Sequence, residues 1–138
     1  LIWHKNKSIA LLLQKLILFF AGISWAVLIH QTPSVFVDPG DNVSLVCSHN
    51  RSDYKVMLWY RLRPKNTALD LIGYGYNEFT KDSVEQSFKE SFKLEGDLKA
   101  RVKKGSLVIT NITAEEHTAM YYCAAREAQH SNKPTVRA

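Results

Sequence analysis

Cys47 and Cys123 are the only two thiols of this 138-residue chain and its clearest candidates for covalent chemistry. Neither stands in a Cys-x-x-Cys or Cys/His spacing that binds metal. Cys47 is followed by Trp59 in Leu58-Trp59-Tyr60, and Cys123 closes Met120-Tyr121-Tyr122-Cys123. Two outcomes are open to such a pair: a disulfide, or two buried thiols. An oxidising compartment selects the disulfide, and the flanking Trp and Tyr favour it too. Closing so long a loop contributes on the order of 4 kcal/mol in the chain-entropy model. Other chemistry is scarce. Ser, His and Asp occur without a strand-turn-helix nucleophile elbow, Glu115-Glu116 lies in a turn, and no Gly-rich phosphate loop is present. The expectation is a recognition module with no catalytic residue, no metal and no cofactor.

Compartment is read from the first 26 residues. Lys5, Lys7 and Lys15 form a basic lead-in, Leu16 to Ile23 is a short apolar run, and Ser24-Trp25-Ala26 puts small residues where a signal peptidase reads. This pattern is that of a secretory signal cleaved after Ala26. The run is shorter than the roughly 20 apolar residues that span a bilayer. The chain starts at Leu1 rather than Met, so its true start is expected to lie upstream. The segment carries three lysines and no acid, so its removal takes the formal charge from +5 to +2. The basic balance is therefore no nucleic-acid footprint. One basic cluster remains, Lys99, Arg101, Lys103 and Lys104, and its first three members alternate like the wet face of an edge strand.

Past Ala26 the dominant signal is period-two alternation. It predicts strands at 28–32, 35–38, 43–49, 56–62, 69–75, 88–95, 104–110 and 119–126. Turn chemistry separates them at Asp38-Pro39-Gly40-Asp41, Arg63-Pro64-Lys65-Asn66, Gly96-Asp97 and Thr113-Ala114-Glu115-Glu116. Short strands at regular spacing indicate an all-β sandwich. The long interval before Leu107 leaves room for an additional hairpin at 69–77. Leu58, Tyr60, Leu62, Leu71 and Tyr122 occupy outward positions where a solvated face would be polar. A patch of that kind marks a partner surface.

Taken in order, several motifs carry a family resemblance. They are His30-Gln31-Thr32-Pro33, Pro39-Gly40-Asp41, Val43-Ser44-Leu45-Val46-Cys47-Ser48-His49, Leu58-Trp59-Tyr60, Leu71-Ile72-Gly73-Tyr74 and Tyr121-Tyr122-Cys123-Ala124-Ala125. The Cys-Trp-Tyr-x-Cys frame resembles an immunoglobulin variable-type (V-set) domain. The fuller set resembles a T-cell receptor beta-chain variable segment with a teleost flavour. The resemblance implies a two-sheet Greek-key sandwich over residues 27–126, with Cys47 and Cys123 bridged, Trp59 packed on the bridge and Tyr121 forming a tyrosine corner. It further implies pairing with an alpha variable domain through Tyr60, Leu62, Leu71 and Tyr122. The implied ligand is peptide held by a major histocompatibility complex (MHC) molecule, bound by loops at 50–55, 76–79 and after Cys123. Asn50, Ser52, Tyr54, Tyr76, Asn77 and Arg126 are the implied contacts, with Tyr74 a weaker one. In a complete receptor this places the chain on the extracellular face of the plasma membrane with signalling subunits. The alternative is a V-set domain of an innate immune receptor, adhesion molecule or soluble immune regulator.

The pattern is broken in three places. Leu62 stands where the family has a Gln that bonds its counterpart across the pair. His117 stands where it has an Asp that accepts a salt bridge at the base of the sandwich; Glu116 is the expected substitute, and His117 itself is read as a turn residue. Residues 127–138 lack the Phe-Gly-x-Gly of a joined chain, so an unjoined segment with an unstructured tail, a missing final strand and an open sheet edge is expected. His130-Ser131 is compatible with read-through of a recombination signal. Three sequons, at Asn42, Asn50 and Asn111, make glycan acceptors in an exported chain.

Overall fold

The computed structural model describes residues 9–13, 17–20, 23–31 and 35–128. Eleven strands are described: β1 (Ile9–Leu13), β2 (Ile17–Phe20), β3 (Ile23–Leu28), β4 (His30–Gln31), β5 (Val35–Val37), β6 (Val43–His49), β7 (Val56–Leu62), β8 (Asp70–Tyr76), β9 (Phe92–Asp97), β10 (Lys103–Ile109) and β11 (Ala119–Arg126). One sheet has the order β5-β1-β11-β7-β8, a second the order β4-β6-β10-β9, and β2 pairs with β3 alone. The chain is an all-β sandwich of immunoglobulin variable type, its two main sheets joined by a disulfide.

Alternation does the local work. In β6, Leu45, Cys47 and His49 are buried while the residues between them are not; β11 buries Ala119, Tyr121, Cys123 and Ala125 in the same rhythm. Their inward faces meet in a core of Leu45, Trp59, Ile72, Leu98, Leu107, Ile109, Ile112 and Tyr121, all fully buried. Cys47 and Cys123 are bonded across it with their Cα atoms 6.6 Å apart. Tyr121 Oη donates to the His117 carbonyl at 2.8 Å, pinning the connection before β11 to the sheet. Gln31 reaches across as well: its Oε1 accepts from the Cys123 N–H at 2.8 Å.

The turns follow their chemistry. Gly40 has φ +90, a conformation that costs glycine nothing, and the Asp41 N–H closes the turn on the Asp38 carbonyl. Thr113 caps a single helical turn, α1 (Ala114–His117), its hydroxyl accepting from the Glu116 N–H. At Gly73 a Cβ would strike the Val84 backbone, so glycine lets the 83–84 segment lie over β8.

Several expectations need correcting. Residues 88–91 are not strand: 86–88 form a 3-10 turn and β9 begins at Phe92. Gly96-Asp97 ends that strand rather than turning. The segment 69–77 supplies one strand, β8, not a hairpin, because the chain leaves it at Asn77 with φ +66. The basic cluster is not an edge-strand face. Residues 98–102 are bends, β10 lies between β6 and β9, and Lys103 is 2% exposed with its Nζ on the Ala100 carbonyl at 2.8 Å. The edge of β11 expected to be open is paired with β1. The tail beyond residue 128 lies outside the described residues.

Candidate recognition and pairing surfaces

The outward face of β11, β7 and β8 carries the expected partner residues, and their register makes them one patch. Tyr122 lies opposite Tyr60, and Met120 opposite Leu62. Across a bulge between Trp59 and Tyr60, Tyr60 lies opposite Leu71 and Leu58 opposite Tyr74. Directly opposed side chains sit within contact range, so these pairs form a continuous surface. Tyr60, Leu62, Leu71 and Tyr122 are all half-buried. Met120 and Ala124, not singled out from sequence, belong to the same face. Period two from Tyr122 was the signal that could have found them. The Tyr122 hydroxyl rests 3.8 Å from Met120 Sδ. Leu62 offers an apolar surface and no hydrogen bond, so any association here rests on packing.

A second surface lies at the end of the sandwich where β6 finishes and β7 begins. Asn77 ties its segments together: its N–H donates to the Lys55 carbonyl at 2.9 Å, and its own carbonyl accepts from the Leu98 N–H at 2.9 Å. Asn50 and Ser52 are exposed, and Tyr76 is 54% exposed. Asn77 and Arg126 are half-buried, the latter donating from Nη1 to the Glu127 carbonyl at 3.2 Å. Tyr54 is a correction. It is 1% exposed, packs edge-on to His49 and lies under the Arg51 guanidinium at 5.1 Å, so it belongs to the core and offers a ligand no surface. Burial also raises its hydroxyl pKa. Tyr74, given less weight from sequence, is 47% exposed beside Tyr76.

Beneath that end is a feature the sequence did not announce. His49 and Lys103 are direct register partners and both are buried. His49 Nδ1 accepts from the Arg51 N–H at 3.1 Å, which makes the ring the neutral Nε2–H tautomer. Burial, and then the Lys103 ammonium, push its pKa from 6.5 to about 4.

At the opposite end the expected salt bridge is replaced. His117 is buried; its Nδ1 accepts from the Thr113 N–H at 2.9 Å, so its Nε2–H faces Ser91 Oγ at 3.2 Å. It is a core ring rather than a surface turn residue, and burial lowers its pKa. Glu116 contributes its backbone carbonyl to Arg61 Nη1 at 3.3 Å. Arg61 pairs through Nη2 with Asp70 at 3.4 Å and stacks over Phe88. Of the sequons, Asn42 and Asn111 sit here together, both exposed, with Asn42 Oδ1 accepting from the Asn111 N–H at 3.0 Å. Asn50 lies at the other end.

Comparison with known proteins agrees with this architecture. The family model of the immunoglobulin V-set domain matches residues 30–137, and the chain belongs to that family. V-set domains are recognition modules, typically extracellular, that pair with other immunoglobulin domains or bind protein ligands. A solved structure described as "Structural basis of T cell specificity and activation by the bacterial superantigen toxic shock syndrome toxin-1" contains a similar chain. It is 25% identical with a TM-score of 0.61, covering 78% of this chain and 87% of that one. No curated protein matches. Among the described residues no helix is long and apolar enough to cross a membrane, and no group of three His, Cys, Asp or Glu could hold a metal ion.

Proposed function

We propose that the chain is the variable domain of a T-cell receptor beta chain. In this account it pairs with an alpha variable domain through Leu58, Tyr60, Leu62, Leu71, Met120 and Tyr122. The loop end bearing Asn50, Ser52, Tyr76, Asn77 and Arg126 contacts peptide held by an MHC molecule. Residues 1–26 act as the export signal. The complete receptor sits on the extracellular face of the plasma membrane with its signalling subunits, and Asn42, Asn50 and Asn111 are glycan acceptors.

The observation that carries the proposal is the outer sheet face. Its opposed residues are aromatic or aliphatic over three adjacent strands, where a self-sufficient domain would present polar side chains. A contiguous apolar patch is buried by a partner in stable assemblies. The likeness to a chain from a structure concerned with T cell specificity supports the same class. Exposed Tyr74 and Tyr76 suit ligand contact, since tyrosine gives rigid contact area at low entropic cost.

Co-expression with an alpha-type variable domain tests the assignment. Capture of one chain should bring down the other, and Leu62→Asp with Tyr122→Asp should abolish that without loss of folding. Pairing that survives the double change would place the interface elsewhere. A V-set domain of an innate receptor or adhesion molecule is the competing account. It gains ground if the wild-type domain is secreted as a stable monomer indifferent to alpha chains.

A further inference from the structure

The base of the sandwich holds a hollow of about 490 Å³. It lies between the end of β7, the 86–88 turn with the run into β9, and the turn that joins β10 to α1. Its volume falls within the roughly 300–1,000 Å³ of small-ligand sites. The floor is aromatic. Phe88 is half-buried, takes the Arg61 guanidinium over its ring at 4.7 Å and meets Phe92 edge-on at 5.4 Å, which fixes its orientation. Around the rings the lining is polar. Ser87 and Thr113 offer hydroxyls, Arg61 and Arg63 guanidiniums, and Glu90 and Glu116 carboxylates.

The charges select the class of ligand. Two guanidiniums are offset by two carboxylates, so neither an anion nor a cation is favoured. The lining suits a neutral molecule with an apolar face and a girdle of hydroxyls. The C–H face of a pyranose lies on the electron-rich face of an aromatic ring. Its hydroxyls donate to carboxylates and accept from guanidinium and hydroxyl groups. An attachment point for such a sugar is already in place. Asn111 lines the same hollow, is exposed, and its side-chain amide bonds to no other described residue. It is the acceptor position of the sequon Asn111-Ile112-Thr113.

We propose that the hollow is a carbohydrate cradle and that its occupant is the proximal N-acetylglucosamine of a glycan linked to Asn111. The sugar packs on Phe88 and bonds the polar lining, so this glycan forms part of the folded base. A glycan on Asn42, which is exposed and not among the lining residues, extends into solvent instead. The inference rests on the reading of Asn111 as a glycan acceptor and is independent of the pairing assignment, because the hollow lies at the base of the sandwich and not on its outer face.

The experiment uses the full chain, expressed through the secretory pathway of cultured animal cells. Glycopeptide mass spectrometry first reads occupancy. An unmodified Asn111 overturns both this inference and the acceptor reading beneath it. The occupied, folded protein is then treated with peptide N-glycosidase, which hydrolyses the bond between asparagine and the first sugar. Ser87→Trp crowds the hollow from an exposed position and leaves the sequon intact. Cleavage at Asn111 requires the sugar to leave its seat, so the variant should be cleaved there about 10-fold faster than wild type. Cleavage at Asn42 should not change. Equal rates at Asn111 in the two proteins overturn the cradle and leave the acceptor reading standing. Should Ser87→Trp fail to fold, nuclear Overhauser contacts in the wild type decide. The acetyl methyl of the Asn111-linked sugar should contact the Phe88 ring, and absence of that contact refutes the proposal.

Discussion

Acidification should weaken the domain chiefly through one buried ring, His49, and the size of its effect can be worked out. His49 has an ordinary pKa of 6.5 and a folded value of about 4, set by burial and then by the Lys103 ammonium. Its folded pKa is depressed, so between these values the unfolded chain binds the proton and the folded one does not. Stability is therefore retained above pH 6.5 and lost as pH falls towards 4. At pH 5 the unfolded ring is nearly fully protonated, about 1.5 units below its own pKa, which corresponds to about 2 kcal/mol. His49 is 3% exposed, so solvent does little to screen this. The geometry gives the same sign, because a second ring proton would point Nδ1–H at the Arg51 N–H. Urea unfolding of the disulfide-bonded chain at pH 7 and pH 5, followed by tryptophan fluorescence, measures the loss. His49→Gln keeps an acceptor but cannot titrate, so its stability should fall by about 2 kcal/mol less over the same interval. His117 contributes in the same direction and accounts for part of the residual slope. If His49→Gln and wild type lose equal stability between pH 7 and pH 5, the assignment of the buried neutral ring is wrong.

Other outcomes follow from the core. Trp59 is fully buried beside the disulfide, so Trp59→Ala should cost about 3–5 kcal/mol in urea unfolding; a loss below 1 would remove it from the core. Tyr121→Phe deletes the hydroxyl that binds the His117 carbonyl and should cost about 1–3 kcal/mol, since that buried acceptor loses its partner. Gln31→Ala leaves the Cys123 N–H without its acceptor and should cost a similar amount, about 1–3 kcal/mol, by the same measurement. Replacing both cysteines with alanine should remove about 4 kcal/mol, the chain-entropy value for a bridge spanning 76 residues.

Much of the frame was legible because its signals are local. Period-two alternation placed β6, β7 and β11 at their observed bounds. The family resemblance carried by Cys47, Trp59 and the Tyr121–Cys123 pattern implied which strands face each other, and the disulfide agrees. That Tyr60, Leu62 and Tyr122 face outward was legible for the same reason, since parity along a strand decides face. What failed depended on tertiary neighbours. Lys103 reads as a solvated cation, yet a carbonyl at 2.8 Å and its place in β10 bury it. Tyr54 reads as a loop contact, yet the loop folds back so that its ring completes the core beside His49. His117 reads as a surface turn residue because nothing local reveals the Thr113 N–H and Ser91 Oγ that satisfy its two nitrogens. The role of Gln31 was equally hidden, since its partner lies 92 residues away. Pairing of β1 with β11 could not be read from alternation, because an uninterrupted aliphatic run carries no face.

The central claim is that the outer face of β7, β8 and β11 is buried by a second variable domain. Hydroxyl-radical footprinting of the chain, free and mixed with an alpha-type variable domain, measures this directly. Tyr60, Leu62, Met120 and Tyr122 should lose reactivity on mixing, while Val102, 57% exposed and leading into β10 of the other sheet, should not change. Unchanged labelling at Tyr60 and Tyr122 in a verified complex would contradict the account.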